Sequence, residues 1–399
     1  MPARIATAAL PLIALLAGCT HLPPPAPDER TAGCATAEAS IAFDFAGAST
    51  SQCVIEGSRA FALVIAPEHA PPINPSPWYA FRYTATPGDP VRVRLDYLHA
   101  AHRYSPKLTQ NGVQRELPVE VIAEGRSAAM MLPTGSGTVS AQPIVDAGDH
   151  ARFARGLANQ VGGEPIILGQ SHDGRPIEAI RFGDPAARRL IVILGRQHPP
   201  EVTGTYALEP FVAELARILT ADRATARDYQ VLAVPLLNPD GVERGHWRAN
   251  RGGVDLNRDW GLFTQPETRA VRDWLAREAS HTRPVAMIDF HSTARSLFYV
   301  QGDEASAAQR RFLDRFLRDK EARFAGYPFS IEPRNANPGS GTAKNWFFAC
   351  YGVPSYTYEV GDEADPTATA DAARSLARDF LPALVALTAE AEHVTAACG

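Results

Sequence analysis

The apolar run LIVILG ends at Gly195 and continues into RQHPPEV, so His198 and Glu201 stand three residues apart just beyond a strand candidate. An imidazole and a carboxylate at this spacing can hold a divalent metal. They can equally be two solvated loop residues, because a chain with 11 histidines produces a His-x-x-Glu by chance roughly once or less. Other segments decide between the two. VAMIDF runs into His291 and SYTY runs into Glu359. VLAVPLLN runs into NPDG and then GHWRANRGGVDLNRDW, which carries Arg248, Asn257 and Arg258. Two imidazoles and one carboxylate form a catalytic zinc set, with the remaining coordination left to water. Zinc lowers the pKa of its water, and a nearby carboxylate can take the proton as attack begins. Glu359 suits that base, because Glu201 is committed to the metal. Guanidinium groups suit two further tasks: polarising a scissile carbonyl, and gripping a substrate carboxylate with a two-pronged geometry. There is no His-Glu-x-x-His segment and no G-x-S-x-G elbow, which excludes two other hydrolase designs.

The elements that must position these groups are readable from the hydrophobic pattern. From about residue 150, apolar strand candidates (EAIRFG, RLIVILG, YQVLAVPLLN, PVAMIDFH, LFYVQG, PSYTYEVG) alternate with amphipathic helical stretches. Such alternation predicts an α/β fold, a mixed but mostly parallel sheet with helices on both faces. Ligands then bind beyond the carboxyl ends of the strands, where the polar groups above fall. Residues 36–147 differ. RAFALVIA, WYAFRYTAT and VRVRLDYL are short strands broken by turn chemistry at TPGDP and NG, and predict a small β-sandwich with no long helix. The expected boundaries are 36–147 for this domain and 148–399 for the catalytic domain.

The 399 residues carry a net charge of −5 and no long basic run, so nucleic acid is not an expected partner. Residues 1–18 form a short apolar segment behind Arg4, too short to span a bilayer, and LLAGC resembles the lipobox of bacterial lipoproteins. By that resemblance Cys19 becomes the lipidated first residue; the alternative is an ordinary secretory signal with an incidental cysteine. Thr20 stands where inner-membrane lipoproteins often have Asp, so the expected location is the outer membrane, facing the periplasm. Residues 19–35 are Pro-rich and read as a stiff tether. Cys34, Cys53, Cys350 and Cys398 are an even set in an exported chain. Pairing within each domain gives Cys34–Cys53 and Cys350–Cys398, against the alternative of free buried thiols.

RQHPPE, NPDG, GVDLNRDW, DFHS and YTYEVG, in this order, resemble the zinc carboxypeptidases, the metallocarboxypeptidase family typified by carboxypeptidase A, over roughly residues 150–390. GQSHDGRPIEAIRFG resembles that family's early strand pair. The resemblance implies one zinc per chain held by His198, Glu201 and His291, Arg248 as the carbonyl-polarising arginine, Asn257 and Arg258 as the pair that binds the terminal carboxylate, and Glu359 as general base. NPSPWYAFRYTAT, HRYSPKLTQNG and NPDGVERGHWR resemble the cytosolic carboxypeptidases, which carry an N-terminal β-domain and trim glutamates from protein tails.

Counting back 15 residues from Glu359, to the position that forms the base of the side-chain pocket in the pancreatic relatives, reaches Lys344 in GSGTAKNW. A cation there would pair with an acidic terminal side chain and reject apolar or basic ones; a solvated Lys beside an apolar pocket is the alternative. The position 22 before Glu359, a mobile tyrosine in those relatives, is Asn337, leaving one transition-state hydrogen bond without a donor. Tyr327 and Tyr356 are candidate substitutes, and NPGSG reads as a flexible rim. The expected activity is hydrolysis of the C-terminal peptide bond of peptides or proteins, with a preference for Glu or Asp. Alternatives are a cell-wall peptidase of the same fold acting on peptidoglycan stems, and an inactive lipid-anchored binding protein whose β-domain docks a partner.

Overall fold

The computed structural model describes residues 33–49, 51–69, 72, 74–162, 165–320, 323–324, 326–334 and 340–390. Cys19, Asn337 and Cys398 lie outside them.

The first part is built of strands alone, apart from one 3-10 turn at Ala123–Gly125. They are β1 (Cys34–Ala35), β2 (Ala39–Ala42), β3 (Gln52–Gly57), β4 (Ala60–Ile65), β5 (Ala80–Ala85), β6 (Val91–Tyr97), β7 (Lys107–Gln110), β8 (Val113–Glu116), β9 (Val119–Ile122), β10 (Ser127–Leu132) and β11 (Gly135–Ser140). They form a six-stranded sheet in the order β1-β2-β5-β11-β7-β8 and a five-stranded sheet in the order β3-β4-β6-β10-β9. Alternation drives the packing. In β6, VRVRLDY buries every second residue, and Val91, Val93 and Leu95 meet Phe61, Leu63, Phe81 and Tyr83 in one core. A disulfide joins Cys34 and Cys53, whose Cα atoms are 5.9 Å apart.

The second part comprises α1 (Ala147–Val161), β12 (Ile166–Gln170), β13 (Pro176–Gly183), β14 (Arg189–Gly195), α2 (Thr203–Ala221), α3 (Arg223–Ala226), β15 (Tyr229–Val234), α4 (Pro239–Arg244), α5 (Pro266–Glu278), β16 (Arg283–Thr293), β17 (Leu297–Val300), α6 (Ala307–Phe316), β18 (Ser330–Pro333), α7 (Ala343–Tyr351), β19 (Ser355–Gly361) and α8 (Pro366–Glu390). One mixed sheet runs β12-β13-β15-β14-β16-β19-β17-β18. Its centre, β15-β14-β16-β19, is parallel, and β12 and β13 pair antiparallel as the early strand pair.

Buried parallel strands require cover on both faces. Side chains of α1, α2, α6 and α8 fill one face, around Phe211, Leu215, Phe312, Phe316 and Phe380. Those of α5 and α7 fill the other, with Val271, Trp274 and Phe347 around Trp260. No helix of the described residues is long and apolar enough to cross a membrane.

Candidate active site

The site sits at the carboxyl ends of the parallel strands. β14 ends at Gly195, and the HPPE loop turns directly into α2. Gly204, in the first turn of α2, lies so close to β16 that a Cβ there would come within 2.8 Å of the His291 carbonyl oxygen, and this close approach fits Glu201 against His291. β16 and β19 run parallel in a register that pairs His291 with Glu359 and Asp289 with Thr357. Partners in a parallel register face the same side, so two distant segments deliver an imidazole and a carboxylate to one spot.

The donor set converges. One ligand atom each from His198, Glu201 and His291 lies within 4.8 Å of the others, and all three side chains are buried. The Nδ1 atoms of the two histidines stand 3.2 Å apart. Glu201 places Oε1 2.8 Å from His198 Nδ1 and Oε2 2.6 Å from His291 Nδ1. Burial alone would raise the Glu201 carboxyl; the two imidazoles override it and hold Glu201 well below the usual carboxylate range. Burial would lower the His291 imidazole, but Asp289 and Glu201 reverse that and raise it well above its ordinary value. Two buried imidazole nitrogens turned toward each other around one carboxylate are poorly matched as mutual partners. They suit a shared divalent cation, so the residues present fit zinc.

The outer nitrogens are held by carboxylates. His198 Nε2 is 2.9 Å from Asp255 Oδ1, and His291 Nε2 is 2.7 Å from Asp289 Oδ2. Metal-binding histidines are commonly oriented in this way. Burial would raise Asp255, yet His198 and Arg248 together hold it far below its usual range. The sequence reading missed both aspartates. Asp289 left a signal, since residues two apart on a strand share a face. Asp255 lies inside GVDLNRDW, but only the fold brings it to His198.

Arg248 is tied to this network. Its Nε donates to Asp255 Oδ2 at 2.7 Å, and Nη1 lies 4.0 Å from Glu201 Oε1. Asn257 Nδ2 is 3.3 Å from His291 Nε2, and its Oδ1 accepts the Ala343 N–H at the start of α7. Arg258 Nη1 donates to the Asn257 carbonyl. All three line a cavity of about 480 Å³, together with His198, Glu201, His291, Lys344 and Glu359.

Glu359 is half-buried as a residue, but its Oε2 atom is shut off from solvent and has no hydrogen-bond partner among the described residues. Burial pushes its carboxyl up to about 7, against the pull of His291, with Glu201 adding repulsion and His198 attraction. An unpartnered oxygen beside a potential metal set is poised to exchange a proton with a substrate or water.

Lys344 is not a solvated surface lysine. It is buried in α7, lines the cavity, and donates to the Arg334 carbonyl at 3.0 Å. Burial pushes its ammonium below the ordinary lysine value, with Glu304 pulling it partly back. Tyr327 and Tyr356 are core residues and do not line the cavity, whereas Tyr299, on β17, does. The β-region contributes Asn74, Pro75, Ser76 and Arg103 to the same wall.

The family model for zinc carboxypeptidases matches residues 163–385. An uncharacterized protein of Zymomonas mobilis is 32% identical over 163 residues, 39% of this chain and 38% of that one. Cytosolic carboxypeptidase 2 of Danio rerio is 29% identical over 112 residues, 27% of this chain and 16% of that one. The match to these curated relatives thus spans less than half of their length. Among solved structures, the metallo-carboxypeptidase of Burkholderia cenocepacia superposes with a TM-score of 0.71 at 19% identity, covering 88% of this chain and 99% of that one. The metallo-carboxypeptidase of Pseudomonas aeruginosa, in complex with (2-guanidinoethylmercapto)succinic acid, gives 0.68 at 20% identity, with 88% and 99% covered. At these identities the superpositions establish a shared fold.

Proposed function

Since the chain belongs to the zinc carboxypeptidase family, we propose that it removes single residues from the C-termini of peptides or proteins, with a preference for acidic ones. The observation that carries the reading is the buried, unpartnered Glu359 Oε2 in the same cavity as the converging His198, Glu201 and His291. A binding module has no use for such a carboxylate.

His198, Glu201 and His291 would hold the zinc, which when bound supplies Lewis acidity and a more acidic water. Glu359 takes the proton of the attacking water and passes it to the departing amine. The Arg248 guanidinium, fixed by Asp255, faces the scissile carbonyl and stabilises the negative charge that grows on its oxygen. Asn257 and Arg258 receive the terminal carboxylate, and Arg258 can do so with two parallel N–H donors. Lys344, with Arg334 beside it, supports selection of an acidic side chain. An apolar or basic side chain there would leave the ammonium with the Arg334 carbonyl but no carboxylate from the substrate.

The architecture favours an N-terminal β-domain followed by a catalytic domain, close to the expected 36–147 and 148–399, with the first sheet already begun by β1 at Cys34–Ala35 and α1 starting at Ala147. The lipobox-like LLAGC supports export and anchoring through Cys19 to the outer membrane, facing the periplasm, with the Pro-rich tether ahead of β1 spacing the enzyme from the bilayer. The deciding experiment is elemental analysis for zinc together with release assays on peptides ending in Glu, Phe and Lys. Zinc near one per chain with fastest release of Glu supports the reading. Equal rates on Glu and Phe remove the acidic preference. Release from muropeptides alone moves the substrate to the cell wall.

A further inference from the structure

Glu68 belongs to the β-region, three residues past the end of β4, yet its carboxylate is spent on the loop that carries Arg248. Oε2 accepts the N–H of Trp247 at 2.7 Å, and Oε1 accepts those of Arg248 at 3.0 Å and Ala249 at 2.7 Å. Residues 247–249 lie in neither helix nor strand, so no ladder fixes this stretch. Three successive amides closing on one ionised group make a compact set of charge-assisted bonds.

The same loop is gripped from a second side. The Trp247 side chain is fully buried in the sandwich core, and its Nε1 donates to the Trp78 carbonyl at 3.2 Å. Beyond the backbone, the Arg248 guanidinium reaches Asp255, which also holds His198. An unbroken path therefore runs from Glu68 through the 247–249 backbone to the guanidinium that faces the cavity.

A parallel clamp holds the other catalytic edge. Arg103 of the β-region binds both oxygens of Asp362, at 2.8 and 3.1 Å, just after the strand that carries Glu359. Gln142 donates to the Asp362 carbonyl at 2.8 Å. Both β-region clamps end within a few residues of a group assigned to the chemistry.

We propose that Glu68 is a positioning residue for catalysis, so that the β-region completes the active site by fixing where Arg248 points. The inference rests on the carboxypeptidase reading of the cavity. A guanidinium that must meet charge growing on one oxygen tolerates little displacement, and an error of about 1 Å can cost on the order of a hundredfold in rate. Substrate binding depends on Asn257 and Arg258, which Glu68 does not touch, so the effect falls on turnover.

The test uses the full chain as wild type, Glu68→Ala and Glu68→Gln, with three readouts: steady-state kinetics, zinc content, and amide hydrogen exchange over residues 247–249. Expected for Glu68→Ala are a kcat lower by about tenfold to a hundredfold, a KM within about threefold of wild type, unchanged zinc, and faster exchange confined to that stretch. Glu68→Gln keeps one accepting oxygen and falls between the two. If Glu68→Ala unfolds, shown by fast exchange throughout, Glu68→Gln carries the test. Wild-type kcat in a variant with loosened 247–249 amides, or unchanged exchange there, overturns the proposal. Wild type that releases nothing from any peptide overturns the carboxypeptidase reading instead, while the exchange data still decide whether Glu68 holds the loop.

Discussion

Two buried groups of titratable side chains flank the turn at residues 196–201, and they differ in one respect. In the cavity, His198 and His291 have partners at both ring nitrogens: Asp255 and Asp289 hold the outer ones, and the inner ones converge on Glu201. On the other side, His150 of α1 is equally buried, yet neither of its nitrogens makes a hydrogen bond among the described residues. Its nearest acid, Glu209 of α2, leaves Oε1 3.8 Å from Nδ1. Arg196 beside them donates from Nη2 to the Pro199 and Val145 carbonyls, while its Nε and Nη1 stay unpartnered. Burial and perturbed ionisation are common to both groups. Among the described residues, convergence of lone pairs, backed by outer carboxylates, belongs to the cavity alone.

The sharpest way to break the comparison is to remove the proposed base without touching the proposed metal set. Glu359→Gln keeps the shape but cannot take a proton, so release of amino acid should fall by at least about 10² to 10⁴, while zinc by elemental analysis stays at the wild-type level. Loss of zinc in this variant would mean that Glu359 is a ligand and would redraw the site. Glu201→Ala is expected to lose both zinc and activity. Glu209→Ala should lose neither, if convergence rather than burial makes the site.

The outer carboxylates come next in size. Asp289→Asn keeps the hydrogen-bond reach to His291 Nε2 but removes the charge, and should weaken zinc affinity by about 10- to 100-fold in a chelator competition. Unchanged affinity would reduce Asp289 to a fold-bearing residue that happens to sit beside His291. Tyr299→Phe asks a smaller question. If Tyr299 supplies the hydrogen bond left open at Asn337, kcat should drop by roughly tenfold with KM little changed; wild-type kcat would leave Tyr299 as a passive wall.

The convergence of His198, Glu201, His291 and Glu359 on one cavity was legible because they sit at or just beyond the ends of LIVILG, VAMIDF and SYTYEV. Apolar runs this long fix the strands, and so they place the residues just beyond them. Three of the sandwich strands, in RAFALVIA, WYAFRYTAT and VRVRLDYL, were legible for a different reason, short runs with alternation bounded by turns. Other parts were not. Residues 343–351, AKNWFFACY, form a helix that buries Lys344 and places Trp346 and Phe347 in aromatic packing, and its sequence carries no polar stripe to mark the period. β18 is four residues long and pairs only with β17, too little for a pattern. Glu68 looked like any acid in a turn, because its three partners lie about 180 residues away in the chain. Contacts of that range are set by how the β-region docks, which local periodicity does not encode.

The second group titrates in opposite senses, which gives the smallest and most specific test. Burial pushes Glu209 up to about 7, with Asp149 adding repulsion and Arg196 opposing. Burial pushes His150 down to about 3, and Arg196 adds to it. A carboxyl raised from its ordinary 4.5 favours the fold fully below that value and loses the contribution as pH rises through 7. An imidazole lowered from 6.5 contributes above that value and loses it as pH falls toward 3. Between about pH 4.5 and 6.5 the two trends oppose, so wild-type stability should be nearly flat there. Glu209→Gln removes one of them. It should unfold at higher denaturant than wild type at pH 8, by on the order of 1 kcal/mol after allowing for the partial exposure of Glu209. The gain should vanish near pH 4.5, and the variant's stability should climb with pH where wild type stays level. A gain independent of pH would mean that Glu209 acts through packing and that His150 and Glu209 do not titrate as a buried pair.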